Sequence, residues 1–417
     1  MKLLFQPLES QLGDILQENL QSGEFERVHI VVAFAKNSGV LRLRKAMKEF
    51  LENGGEIHFY VGVDMNGTSF EALSNLLPIT TTLRVVHDSN GQTFHTKLYS
   101  FTSSKRSVVT VGSNNFTGGG LWTSYETAVQ LNLDPHNPRH KEVQRDVEEY
   151  LARLRALTNR VQLLSSQADI DALLEKCYVD KEVSARLRSN RVVNIRGRHQ
   201  ELFGSGKKAF IPAIERNSLQ PPREALQQDQ QSRVEAALSA STIFSPSEEP
   251  TLWLETRRMT GGSRNILDLS KTSLLHSGNV VGTAYQHENP RFMRGAVEFF
   301  GVNPEAVDLE REIAVNFEGE DYYGNTIKFP KGDRSNGTWR VQLKGVSKNG
   351  EKITSVFKRL AQGGHFLPGK IVTFTRVASD YYYMSVFDDR ELPEFINASS
   401  VTAFNGRVPS AKMLGIL

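Results

Sequence analysis

Residues 94–126 read FHTKLYSFTSSKRSVVTVGSNNFTGGGLWTSYE, and this stretch decides the fold and the chemistry of the first part of the chain. Apolar and β-branched runs at Phe94–Phe101 and Val108–Val111 predict two strands. Side chains alternate between the two faces of a strand, so His95 and Lys97 are expected to point the same way. The sequence therefore predicts an imidazole and an ammonium side by side at the start of a strand.

The second predicted strand ends in the glycine-flanked turn GSNN, residues 112–115. Small side chains in such a turn bring hydroxyl and amide donors close to a phosphate. The triple glycine at 118–120 allows the backbone to approach a ligand closely. Glu126 begins the next predicted strand, where its carboxylate can hydrogen-bond an imidazole and set its tautomer.

These residue types match what phosphodiester hydrolysis needs. The reaction requires a nucleophile, donors that neutralise the non-bridging oxygens, and a general acid for the leaving oxygen. Histidine can serve as nucleophile or as acid, and Lys97 with Asn115 can hold the oxygens. This arrangement requires no metal, so we expect neither a metal site nor another cofactor.

The pattern H-x-K, then G-S-x-N, then Glu eleven residues after the Asn resembles the phospholipase D superfamily. The residues that carry the resemblance are His95, Lys97, Gly112, Ser113, Asn115 and Glu126. The resemblance implies two motifs facing each other, one His forming a phosphohistidine and the other protonating the leaving group. It further implies that Lys and Asn bind the scissile phosphate, that Ser assists, and that Glu orients the His. Only one motif is present here, which implies a homodimer with the active site across its two-fold axis.

The chain departs from the family pattern at one position. The family often has Asp five residues after the Lys, where this chain has Thr102, and the gap before GSNN is longer than usual. Both departures count against the lipid-cleaving members. The alternative is a strand with a chance H-x-K and an unrelated glycine turn.

Around this stretch, residues 1–160 alternate between helical and strand patterns. The predicted helices are 8–22, 39–52, 69–77 and 138–157, and the further predicted strands are Val28–Phe34, 57–63, Leu83–Val86 and Ala128–Leu133. This alternation predicts a layered α/β domain with a mixed sheet.

After residue 160 the composition changes. Gln, Ser, Arg and Pro increase over 161–249, which we interpret as a connecting region with helices at 168–177 and 229–240. From residue 250 short β-like runs alternate with glycine turns, which predicts a β-rich barrel or sandwich. The runs are Val341–Val346, Ile353–Phe357, Ile371–Val377 and Tyr381–Phe387, with a helix expected at 290–300.

This layout resembles the BfiI- and NgoFVII-type restriction endonucleases, which join a phospholipase D-like domain to a B3-like DNA-recognition pseudobarrel. In that fold two arms embrace the major groove. Arginine pairs with guanine edges and asparagine with adenine, whereas lysine more often contacts phosphate. The candidate arm residues are Arg257, Arg258, Arg264 and Asn265 in the first arm, and Lys328, Lys331, Arg334 and Asn336 in the second.

Composition excludes several other classes. The 417 residues are 39% hydrophobic and 23% charged, with a net charge of +3, which is ordinary for a globular protein. Cys177 is the one cysteine, so neither an intrachain disulfide nor a cysteine-rich zinc site can form. No run of 18 apolar residues and no signal-peptide core occur, so we expect a cytoplasmic protein with no membrane contact.

The main hypothesis is a sequence-specific, metal-independent, type II-like restriction endonuclease that acts on double-stranded DNA as a homodimer. A second hypothesis is a phospholipase D-like phosphodiesterase acting on lipid or RNA. A lipid enzyme would show an apolar surface patch in its second half in place of Arg and Asn arms. A nuclease subunit that depends on an ATP-driven helicase-like partner and a non-enzymatic DNA-binding protein are further candidates.

Overall fold

The computed structural model describes residues 1–188, 209–212, 214, 250–257, 264–330 and 337–417. These residues fall into two compact units. The N-terminal unit comprises 1–185, 209–212 and 214, and the C-terminal unit comprises 186–188 and everything described from 250 onward. The predictions at Arg258, Lys331, Arg334, Asn336 and 229–240 lie outside the described residues.

The N-terminal unit is built on one sheet. Its strands are β1 (Lys2–Gln6), β2 (Arg27–Val32), β3 (Glu56–Gly62), β4 (Thr82–Val86), β5 (Lys97–Thr102), β6 (Ser107–Gly112), β7 (Glu126–Leu133) and β8 (Val161–Leu164). The order across the sheet is β1-β7-β6-β5-β2-β3-β4-β8. Strands β2, β3 and β4 run parallel, and their other neighbours run antiparallel. The predicted α/β domain with a mixed sheet is confirmed.

Helices cover both faces of this sheet. They are α1 (Leu12–Gln21), α2 (Asn37–Glu52), α3 (Phe70–Leu76), α4 (Pro138–Ala156) and α5 (Gln167–Glu175). The Leu12, Leu16 and Leu20 spacing puts one side of α1 into the larger core, which also takes in α2, α3 and α5. On the opposite face, Leu151 and Leu154 of α4 pack into a smaller apolar cluster.

Three details of this unit differ from the sequence prediction. The strand expected from Phe94 begins at Lys97, so His95 lies in the loop before it. Strand β1 was missed because it is short and alternates exposed and buried residues beside a helix-like leucine pattern. Strand β8 and helix α5 were assigned to the connecting region, yet β8 pairs with β4, and α5 packs into the core of this unit.

The C-terminal unit is β-rich, as predicted. Its strands are β9 (Thr251–Glu255), β10 (Ile266–Ser270), β11 (Thr272–Ser277), β12 (Phe292–Arg294), β13 (Glu310–Phe317), β14 (Glu320–Lys328), β15 (Thr338–Gln342), β16 (Lys370–Ala378), β17 (Tyr381–Asp388), β18 (Val401–Phe404) and β19 (Met413–Ile416). They form one sheet in the order β10-β15-β14-β13-β17-β16-β9-β19-β18-β11-β12. Among the described residues this order does not close into a barrel.

Two helices, α6 (Ile353–Leu360) and α7 (Leu392–Ala398), accompany the sheet. The strand predicted at Ile353–Phe357 was wrong, because Ile353, Val356 and Phe357 are buried at helical spacing as the first turns of α6. A run of five residues is too short to distinguish the spacing of a strand from that of a helix. The helix predicted at 290–300 was also wrong, because β12 is followed there by a 3₁₀ turn that ends at Gly301 with φ +70°.

Candidate active site

His95 and Lys97 meet at the edge of the N-terminal sheet. Lys97 is the first residue of β5 and is only 5% exposed, whereas His95 in the preceding loop is exposed. The Lys97 Nζ lies 2.6 Å from Nδ1 and 3.0 Å from Nε2 of His95, and it donates to the His95 carbonyl at 2.9 Å. Phe34 packs edge-on against the imidazole, with ring centroids 5.8 Å apart. The buried ammonium therefore supports an imidazole that faces solvent.

The environment of Lys97 favours an anionic ligand. Burial lowers the pKa of Lys97, and the carboxylate of Glu126 opposes that shift. No carboxylate of the described residues forms an ion pair with this ammonium. The ammonium is therefore available to an anionic ligand next to His95.

Ser113 and Glu126 form a second pair on the neighbouring strands. The Ser113 hydroxyl donates to the Glu126 carboxylate, and it accepts from the Thr127 backbone N–H at 3.1 Å. The Ser113 N–H in turn donates to the Thr127 carbonyl at 3.0 Å. Glu126 begins β7 as predicted, but in the described structure its carboxylate bonds Ser113 and not the imidazole of His95.

The side chain of Asn115 is held in place by its amide oxygen, Oδ1. Its Oδ1 accepts from the Phe34 backbone N–H at 3.2 Å, just beyond the end of β2. The Phe116 N–H also donates to the Phe34 carbonyl at 3.0 Å, so two hydrogen bonds join the GSNN turn to this loop. The NH₂ group of Asn115 has no hydrogen-bond partner among the described residues, and it remains a donor for a ligand.

Three buried residues outside the predicted motif, Tyr99, Asn114 and Gln6, support this turn by hydrogen bonds. The buried Tyr99 hydroxyl donates to the Asn114 carbonyl at 2.9 Å, and burial raises the pKa of that phenol. The Asn114 and Gln6 side-chain amides both donate to the Gly120 carbonyl. A Cβ at Gly120 would lie 2.4 Å from the Asn115 carbonyl oxygen, so the triple glycine permits this close approach. Only tertiary contacts reveal these roles, because Gln6 is more than a hundred positions away.

A second cluster lies further along the same strands, toward the amino ends of β2 and β3. It lines a cavity of about 400 Å³ over which α4 passes. His29 and His58 stack there with ring centroids 4.9 Å apart. Burial, His58, Arg27 and Arg155 lower the pKa of His29 to about 3, and burial also lowers that of His58. Both imidazoles are therefore neutral at physiological pH.

The predicted DNA-contacting residues of the C-terminal unit have differing surroundings. Arg257 pairs with Glu255 at 2.6 Å and donates to the Ser410 carbonyl at 2.8 Å, so the fold occupies its guanidinium. Arg264 is exposed at the start of the segment leading into β10, with the half-buried Asn265 beside it. Lys328 is half-buried at the end of β14. The structure does not gather these side chains into one site.

The chain matches no protein-family model and no curated protein sequence. Part of it is similar to solved structures. A polyphosphate kinase from Porphyromonas gingivalis is 17% identical with a TM-score of 0.30, and the match covers 40% of this chain and 24% of the kinase. Nuc, a phospholipase D family member from Salmonella typhimurium, is 16% identical with a TM-score of 0.31, covering 40% of this chain and 97% of Nuc. NucT from Helicobacter pylori is 18% identical with a TM-score of 0.28, covering 37% and 94%.

Proposed function

We propose that the N-terminal unit is a phospholipase D-like phosphodiesterase and that the whole chain is a sequence-specific DNA endonuclease of the restriction type. The observation that carries the proposal is the buried Lys97 ammonium set against the exposed imidazole of His95. A buried cation without a carboxylate partner is costly unless an anion binds it. Asn115, Ser113 and Glu126 on the adjoining turn and strand complete a site with the groups that a phosphodiester needs.

In the proposed mechanism His95 of one subunit attacks phosphorus. A nitrogen–phosphorus bond forms while the bond to the leaving oxygen breaks, and His95 of a second subunit donates the proton that this oxygen requires. Water then attacks the phosphohistidine, the second imidazole accepts its proton, and the first imidazole leaves. Lys97 and the Asn115 NH₂ group stabilise the charge on the non-bridging oxygens, and Ser113 holds Glu126 near Lys97.

This mechanism needs two copies of the motif, so we propose a homodimer. An apolar surface suited to it lies on β1 and β6, beside the turn that carries Ser113 and the strand that Glu126 begins. Leu3 and Phe5 of β1 and Val111 of β6 are 53%, 39% and 49% exposed, and Tyr125 before β7 is 81% exposed. Leu3 and Val111 both pair with Val129, which places them in one cross-strand row. A two-fold interface through this row would bring the two sites together.

The C-terminal unit is proposed as the B3-like DNA-recognition domain. Arg264 and Asn265 would contact base edges, and Lys328 would contact phosphate. Large exposed apolar residues in its described part are four aliphatics from separate parts of the sequence, Val281, Val346, Leu360 and Val408. No described helix is long and apolar enough to cross a bilayer. These observations favour nucleic acid over a lipid substrate, and an RNA phosphodiesterase or a helicase-dependent nuclease remains the alternative.

The test is cleavage of several long DNAs in excess EDTA and without ATP. We expect discrete bands from the native protein, none from His95→Ala, and unchanged bands from the matched control His136→Ala, an exposed histidine of the same unit. Acid-labile ³²P on the native protein, absent from His95→Ala, would support the phosphohistidine. Cleavage by His95→Ala would overturn the assignment. Bands that appear only after a helicase-like partner and ATP are added would favour the partner-dependent alternative.

A further inference from the structure

A small basic cavity of about 260 Å³ lies in the C-terminal unit beside α6. Its walls come from three separate segments. Arg264 and Asn265 enter from the residues before β10, Thr354 and Lys358 from α6, and His365 with Phe366 from the loop after α6. We call it the α6 pocket. No strand or helix pattern in the sequence places these segments together.

The charged side chains that line the pocket are all positive. Arg264 and Lys358 are exposed cations, and no acidic residue stands among its described lining residues. The next cation along the helix behaves differently, because Arg359 pairs with Glu351 at 2.7 Å. Glu351 thus pairs with Arg359, whereas Lys358 lines the pocket.

Two stacked aromatic rings line the pocket. Phe357 is buried, and its ring stacks on Phe366 with centroids 5.5 Å apart and an interplanar angle of 25°. The loop that carries His365 is fixed at its start, because the Gly363 N–H donates to the Lys358 carbonyl at 2.8 Å. Gly363 has φ +89°, a conformation that favours glycine, and it turns the chain back toward the helix.

We infer that the α6 pocket binds one backbone phosphate of the DNA, with the adjoining sugar against Phe366. The inference rests on the proposed DNA-binding function. It adds Lys358 to the contacts of the first predicted arm, and it gives Arg264 of that arm a phosphate contact in place of the base-edge contact proposed above. Pockets for drug-sized ligands have volumes of ~300 Å³ or more. The smaller volume of the α6 pocket suits a single phosphate and its sugar. Lysine at a phosphate contributes affinity without base preference. The pocket therefore positions DNA on the C-terminal unit and carries no sequence information itself.

The test measures the salt dependence of DNA binding by the full chain in the catalytically silent His95→Ala background. Lys358→Gln and Arg264→Gln are each expected to weaken binding by several-fold at moderate salt. Each should also reduce the slope of log K against log salt concentration by about one, as for one lost phosphate contact. The matched control is Lys348→Gln, an exposed lysine outside the pocket, and it should leave the slope unchanged. All three substitutions are at exposed positions, and equal melting temperatures would show that folding is retained.

The outcomes separate this inference from the proposed function. A native protein that binds no DNA at any salt concentration would overturn both. Native binding with slopes that do not change in Lys358→Gln and Arg264→Gln would overturn the α6 pocket alone. A Lys358→Gln variant that loses discrimination between DNA sequences while keeping its slope would also overturn the phosphate assignment, because that result indicates a base contact.

Discussion

The two ends of strand β2 offer a direct comparison, since each carries histidine, a basic residue and a carboxylate. At the amino end His29 and His58 stack, His58 bonds Thr82 at 2.9 Å, and Arg27 pairs with Glu56 at 2.7 Å. At the carboxyl end Lys97 contacts an imidazole and no described carboxylate pairs with it. In the first cluster the cation and the carboxylate pair directly, whereas in the second the Glu126 carboxylate accepts from Ser113 and Lys97 has no carboxylate partner among the described residues. The unbalanced cluster is the one to expect at a phosphate site.

The largest expected effect separates the two clusters by activity. His95→Ala should reduce cleavage by at least about 10³-fold, because loss of a nucleophile or general acid removes the chemical step. His29→Gln should stay within a few-fold of the native rate, since its imidazole is neutral and lies away from the proposed site. Initial rates on one plasmid substrate check both. Equal losses in the two variants would contradict the distinction between the clusters.

Replacing Lys97 by methionine should lower activity without lowering stability. Lys97→Met removes the charge that faces the scissile phosphate, and we expect a ~10²–10³-fold lower turnover. Because Lys97 is a buried cation without a carboxylate partner, the same variant should be at least as stable as the native protein. Arg27→Met removes an ion pair on the exposed rim of the other cluster, and turnover should remain native. Urea unfolding and single-turnover rates measure the two effects. A strongly destabilised Lys97→Met would show that this lysine has a structural role.

Gly120→Ala should disturb the position of Asn115. The new Cβ would meet the Asn115 carbonyl oxygen, and such overpacking costs ~1–3 kcal/mol. The comparison variant Gly91→Ala introduces a methyl group into open space at a loop glycine with φ +80°, so it reports the cost of backbone strain alone, whereas Gly120→Ala reports the clash alone. Urea unfolding gives the loss of stability. The cleavage rate under single-turnover conditions shows whether the displaced Asn115 still supports the chemical step. Equal unfolding and cleavage in native and Gly120→Ala proteins would show that the turn tolerates displacement.

Local pattern predicted the strands of the N-terminal unit better than it predicted the hydrogen-bond partners of the candidate site residues. Lys97, Ser113 and Glu126 are near one another because β5, β6 and β7 are sequential antiparallel neighbours. The sequence did not indicate that Glu126 would bond Ser113, because hydrogen bonding depends on side-chain rotamers. The contacts of Gln6 under the turn depend on the pairing of β1 with β7, which brings together residues from opposite ends of the unit.

The errors in the C-terminal unit have the same origin. The run Ile353–Phe357 was predicted to be a strand because five residues are too few to distinguish the strand period of 2 from the helix period of 3.6. In the structure Ile353, Val356 and Phe357 are buried on one side of a helix. The α6 pocket depends on that helix and on a return loop, so sequence pattern alone could not place Lys358 beside Arg264. The predicted arm residue Arg257 shows a further limit, because only the structure reveals its pairing with Glu255.

The smallest expected effect is the pH dependence of stability that His29 confers. Burial first, then His58, Arg27 and Arg155, lower the pKa of His29 to about 3 in the folded state, from 6.5 in the unfolded chain. Between these values the unfolded chain holds a proton that the folded protein does not, so stability falls as pH falls. From pH 7 to pH 5 we expect His29 to remove about 1–2 kcal/mol of unfolding free energy.

Urea midpoints for native protein and His29→Gln at pH 7, 6 and 5 would isolate this contribution. Glutamine keeps a polar side chain but does not titrate, so the midpoint of the variant should decline less between pH 7 and pH 5. His136→Gln, at an exposed histidine of the same unit, is the matched control for replacing a histidine by glutamine. Parallel declines in native protein and His29→Gln would show that His29 gains no acid sensitivity from its burial. The difference between the two clusters would then rest on Lys97 alone.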